Sequence, residues 1–85
     1  MPSISMFFGI VVYMFYDDHN PPHFHARYQG HKAAFLFDGT LLAGEMPLKQ
    51  QKILAAWAVI HAEELEANWE LAAASEQLYK IDPLR

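Results

Sequence analysis

The 85-residue chain contains no cysteine, which excludes a disulfide framework and thiolate metal ligation and is in keeping with a cytoplasmic setting. Cations are scarce as well. Six Lys and Arg stand against ten Asp and Glu, a formal net charge of −4, and this argues against binding nucleic acid by bulk electrostatics. No apolar run approaches the roughly 20 residues that a bilayer-spanning helix needs. The longest, Ile4–Tyr16, has no Lys or Arg before it and no small-residue cleavage site after it, so neither an anchor nor a signal peptide is expected. Its β-branched and aromatic residues read as a buried strand. Repeats, low-complexity tracts and linkers are also missing.

What remains is apolar enough to fold: 53% of residues are hydrophobic and 14% aromatic, too many for disorder. The length allows one domain around a modest core, and such a small domain has little stability to spare. A homodimer or a complex with another chain is therefore expected. Charge is unevenly placed. Between Asp18 and Asp38 lie His19, His23, His25, Arg27, His31 and Lys32 with no acidic residue, whereas Glu63, Glu64, Glu66, Glu70 and Glu76 have no Lys or Arg among them. One half of the molecule can carry cations and the other is acidic.

Two hydrophobic periods divide the chain. Over residues 3–16 both alternating faces are apolar, with Ile4, Met6, Phe8, Ile10, Val12 and Met14 on one and Phe7, Val11, Tyr13 and Phe15 on the other. This predicts a long strand covered on both sides, or on one side by a partner chain, with Gly9 marking a bulge or a close approach. Asp17–Pro22 has the composition of a turn. A second strand follows over 22–29, in which His23, His25 and Arg27 share one face and Phe24, Ala26 and Tyr28 the other. Gln29–Gly30 turns the chain into a third strand over 31–37, and a short fourth can be drawn over 41–43.

From Pro47 the step becomes 3 to 4 residues: Leu54, Trp57, His61, Leu65, Asn68 and Ala72 fall on one stripe. Helix is expected over 47–75, in one piece or two with a bend near His61, followed by an extended tail over 78–85. Trp57 and Trp69 read as core, His61 as a satisfied buried histidine, and the glutamates as a solvated face. The fold class is α+β, a small antiparallel sheet of three to four strands with the helical C-terminal half packed on one face.

The chemistry concentrates in "DDHNPPHFHARY", Asp17–Tyr28, and three readings of it stay open. His23 and His25, two apart on a strand, can chelate one ion, with His19 or a turn aspartate completing the set; the ligands would be His19, His23 and His25. Alternatively, His23 and His25 divide acid and base roles on a phosphodiester, Arg27 holds the phosphate, and Asp18, His19 and Asn20 support them. That chemistry requires no metal or other cofactor. The third reading is a plain polar turn.

Together with "MPSIS", "FFGI", "HAEELEANWELA" and "KIDPL", the string "DHNPPHFHA" resembles the short bacterial proteins of domain-of-unknown-function family 4160, some of which carry the name DhiT. The distinctive polar residues of the resemblance are Asp18, His19, Asn20, Pro21, Pro22, His23 and His25. It implies the toxin component of a bacterial type II toxin–antitoxin module, with an antitoxin encoded by a neighbouring gene. A ribonuclease working through His23 and His25 is the expected activity; a non-enzymatic protein-binding module is the alternative.

Overall fold

Phe8 and Gly9 cut the first apolar run in two. In the computed structural model, which describes residues 2–84, strand β1 (Ser3–Phe7) pairs antiparallel with β2 (Ile10–Tyr13), and Phe7 opposes Ile10 across a two-residue turn. Both turn residues have positive φ, +47° at Phe8 and +76° at Gly9, the combination a type I′ hairpin requires. The single strand expected over 3–16 is thus a hairpin. Phe at the first turn position hid it, because Asn, Asp or Gly usually marks that place and both arms are equally apolar.

Strands β3 (His23–Tyr28), β4 (His31–Leu36) and β5 (Leu41–Gly44) complete an antiparallel meander in the order β1-β2-β3-β4-β5. The sheet has five strands rather than three to four. Gln29–Gly30 repeats the positive-φ pair of the first turn. Gly39, at φ +92°, brings the β4–β5 turn so close to the first helix that a Cβ there would lie 2.6 Å from the Ala55 Cα.

The helical half is two helices, α1 (Leu48–Ile60) and α2 (Ala62–Ala73), with Pro47 preceding the first and His61 between them. His61 leaves helical geometry at φ −109°, ψ 25°, yet backbone hydrogen bonds continue through it, from His61 N–H to Trp57 O and from Leu65 N–H to His61 O. The result is a bend that keeps Trp57 and Leu65, both fully buried, in the same core. Half-buried His61 itself pairs with Glu64 at 2.6 Å.

One sheet face carries the rows Val12–Ala26–Ala33 and Phe24–Phe35, all buried. Trp57 packs its ring against Phe7 and Phe24 and donates its indole N–H to Asp82 O. The segment after α2 is irregular but anchored. Asn68 donates to Tyr79 O and accepts from Tyr79 N–H, and Ile81 N–H donates to Ile4 O. Arg85, last residue of the expected tail, lies outside the described residues. Among those residues no helix is long and apolar enough to cross a membrane.

The opposite sheet face carries the row Tyr13–His25–Ala34–Ala43 and, beside it, Met6–Val11–Arg27–Lys32.

Candidate functional site

Asp18 is the hub of the histidine segment. The chain leaves β2, turns at Asp17 (φ +53°) and is tied to the end of α2 by the Asp17 N–H to Ala72 O bond. This sets the Asp18 carboxylate against the start of β3. Oδ2 lies 2.9 Å from His23 Nε2 and 3.3 Å from His25 Nε2. Oδ1 accepts the His19 backbone N–H at 2.9 Å and approaches the His19 ring nitrogen at 3.1 Å.

Strand alternation puts His23 and His25 on one face, but it does not make them equally accessible. His23 is 4% exposed, closed over by the Trp69 ring from α2 at 5.3 Å between centroids. The His25 side chain is 21% exposed; it stacks on Tyr13, its cross-strand neighbour, and meets Phe15 edge-on. Arg27 is exposed and points its guanidinium over Tyr13, 5.9 Å from the ring centroid, beside the histidines rather than among them. The open face shared by His23, His25 and Arg27 in the sequence expectation is therefore open at Arg27, partly open at His25 and closed at His23.

His23 has an informative pair of partners. Its Nδ1 lies 2.6 Å from the Pro21 carbonyl, an acceptor, so Nδ1 carries the hydrogen. Its Nε2 faces a second acceptor, the Asp18 carboxylate. The contact is favourable only if Nε2 is also protonated or if a cation stands between the two groups.

Electrostatics sharpen the contrast between Asp18 and His25. Burial pushes the His25 pKa down, as does the neighbouring His23, and the hydrogen bond and charge of Asp18 only partly restore it. For Asp18, burial raises the pKa, but the His19 N–H, the His25 hydrogen bond and the positive potential of His23 and His19 outweigh it, and the carboxyl ends below its ordinary range. The pair is thus biased toward a carboxylate beside a neutral imidazole, which is the protonation pattern of metal ligands.

The geometry fits that use. One oxygen of Asp18 and one ring nitrogen each of His23 and His25 all lie within 4.8 Å of one another. A tetrahedral zinc ion with bonds of about 2.0–2.1 Å sets its ligand atoms roughly 3.3 Å apart, close to the 2.9 and 3.3 Å that separate Asp18 Oδ2 from the two imidazoles. The His23 Nδ1–H to Pro21 O bond fixes the ring with Nε2 turned toward Asp18, the kind of contact that orients imidazoles in metal sites. His19, which the sequence placed in a three-histidine set, is not in this convergent group; its side chain is 89% exposed, and the third member is Asp18. Asn20 is exposed and precedes Pro21 through a cis peptide bond.

Sequence reasoning named Asp18, His23 and His25 but missed what encloses them. Tyr13 could have been found by pairing β2 with β3, since it directly opposes His25. Trp69 could not, because only the packing of α2 carries it to His23.

No curated protein and no solved structure matches the chain. The model of one family, described as "Domain of unknown function (DUF4160)", matches residues 9–70, a span that holds β2 to β5, α1, most of α2 and every residue of the Asp18 cluster. The chain belongs to that family.

Proposed function

We propose that Asp18, His23 and His25 hold one divalent metal ion, zinc by the match of donor set and spacing, and that the protein uses it to hydrolyse RNA. The observation that carries this reading is the placement of His23, whose Nε2 lies 2.9 Å from the Asp18 carboxylate while Nδ1 is committed to Pro21 O, so that a cation shared by Nε2 and the carboxylate would satisfy both. Three protein ligands leave a coordination position for water, whose pKa a zinc ion lowers to about 7. Asp18, His23 and His25 would hold the ion, and the chemistry it would supply is a hydroxide able to displace the sugar oxygen at phosphorus near neutral pH, with the proton released from the water available to that leaving oxygen. A division of labour between His23 and His25 without metal is less well supported, because buried His23 has both ring nitrogens engaged and offers neither to a substrate.

The resemblance described above supports a setting for this activity: a toxin restrained by a neighbouring antitoxin in the bacterial cytoplasm. Exposed Leu48, Val59 and Ile60 on α1, with Met6 and Phe8 on the first hairpin, are apolar surface that an antitoxin or a second copy would cover.

The test joins metal content to activity. Metal-free protein should bind one equivalent of zinc, and Asp18→Asn, His23→Ala and His25→Ala should each lose it. RNA cleavage and growth arrest on expression should disappear in the same variants and under chelation. RNA cleavage that persists with chelator and no bound metal would return the assignment to a histidine acid–base pair. Stoichiometric zinc without cleavage would leave the site a metal-binding structural element.

A further inference from the structure

The uncovered face of the sheet is not flat. A groove of about 340 Å³ runs along it from His25 across Ala34 and Ala43, with Tyr13 and Phe15 on one side and Lys32 on the other. The size falls in the range of small-ligand sites, roughly 300–1,000 Å³. Its floor follows from the register: Tyr13, His25, Ala34 and Ala43 are consecutive partners across four strands. The two aromatic residues fall at one end of this row and the two alanines at the other, leaving a trough where the side chains are shortest. Arg27 and Lys32 oppose each other on the adjacent row.

Three features define what would fit. The floor is methyl groups, so the occupant presents a flat, apolar face. Phe15 is a half-buried ring at the wall, available for stacking. The flank is cationic. Arg27 and Lys32 are both exposed and neither joins an ion pair among the described residues, although Glu45, whose backbone N–H donates to Lys32 O, is an acidic neighbour on the β5 side. Two unpaired cations beside an apolar trough, on a chain of net charge −4, call for an anion with a planar body.

We propose that this groove binds one nucleotide of a single-stranded RNA, the base lying over Ala34 and Ala43 against Phe15 and the flanking phosphates reaching Lys32 and Arg27. This inference rests on the hydrolytic reading above, to which it adds a substrate site. His25 joins the two, since its ring lines the groove while its Nε2 faces Asp18. A strand in the groove passes the metal ligands at that wall. Base stacking on aromatic side chains is tolerant of sequence, so the groove selects single strands rather than a particular base, and a duplex, whose bases are already stacked, is excluded.

The experiment is a titration of the full chain, under chelation so that nothing is cleaved, with a fluorescent oligouridylate. Neutralising two phosphates on a single strand gives a logarithmic salt slope of about −1.4, or roughly a sevenfold loss of affinity between about 50 and 200 mM salt. Lys32→Gln removes one contact and should reduce that loss to about 2.6-fold. Ala43→Trp fills the trough from an exposed position and should abolish binding. Zinc uptake should be unchanged in both variants, since neither touches Asp18, His23 or His25. Methyl resonances of Ala34 and Ala43 should shift as the oligonucleotide is added. Unmoved methyl resonances at saturation, or wild-type salt dependence in Lys32→Gln, would overturn the groove assignment. Protein that binds zinc but not the oligonucleotide would overturn it while leaving the metal centre standing; the reverse result would overturn the metal centre alone.

Discussion

Replacing Asn68 by Ala removes the clamp by which α2 holds the segment that follows it. Asn68 is 1% exposed, and its side chain makes two hydrogen bonds to one residue, donating to Tyr79 O at 2.8 Å and accepting from Tyr79 N–H at 2.9 Å. After truncation two outcomes are available. If the segment stays in place, two backbone groups lose their partners, at about 1–3 kcal/mol for each that stays buried. If it peels away to find water, Ile81 surrenders its burial, worth about 1.5–3 kcal/mol, and the hydrogen bond from the Trp57 indole to Asp82 O goes with it, worth about 1 kcal/mol. The cheaper route decides, which puts the loss near 2–4 kcal/mol. A domain of this size shifts its Tm by about 4–8 °C per kcal/mol, so a fall of about 8–30 °C is expected. Urea denaturation followed by tryptophan fluorescence measures it, and limited proteolysis beyond Ser75 distinguishes the two routes. A loss below about 0.5 kcal/mol would refute the idea that these two bonds hold the C-terminal segment.

Phe8 sits at φ +47° with its side chain 61% exposed, a conformation that costs a non-glycine residue about 1–2 kcal/mol; Phe8→Asn should raise the urea midpoint by relieving part of that cost, and an unchanged or lower midpoint would count against a strained type I′ turn. Gly39→Ala should destabilise by about 2 kcal/mol or more, because φ is +92° and the new methyl meets Ala55 on α1; near-neutral urea curves would mean the β4–β5 turn moves freely. Acid should weaken the metal-free protein in two stages. The folded-state pKa of His25 is depressed, so its contribution is present above the ordinary value of 6.5 and is lost as pH falls through the window below it. Asp18 is depressed too, and its contribution is lost as pH falls below 3.8 toward the folded value. Urea midpoints measured from pH 8 downward check the first stage, and a midpoint that rises between pH 7 and pH 5 would contradict the sign.

Local chemistry was legible in the sequence wherever one rule operated alone. The clean alternation of His23–Gln29 and the Gln29–Gly30 turn gave β3 and β4, and the change of step at Pro47 gave the helical half. The first hairpin was hidden because Phe8, a residue disfavoured at positive φ, occupies a position where only backbone geometry reveals the turn. The two-helix alternative with a bend near His61 was open in the sequence, and the structure takes it without a glycine or proline at the bend. In the site, the common side of His23 and His25 was readable from strand parity. The central place of Asp18 was not, because it depends on how the Asp17–Pro22 turn folds back, and the closure of His23 depends on Trp69 arriving from α2.

Strand β3 gives its side chains alternately to two purposes: Phe24 and Ala26 to the core, His23 and His25 to the Asp18 cluster. Because the side-chain period of a strand is two residues, inserting or deleting a single residue there turns the imidazoles inward and the phenyl ring outward. Such a change destroys the site and the core together. Divergence within this strand is therefore confined to substitution, with changes of length tolerated at the Gln29–Gly30 turn rather than in the turn that sets Asp18. Relatives that lose the chemistry should still keep the spacing.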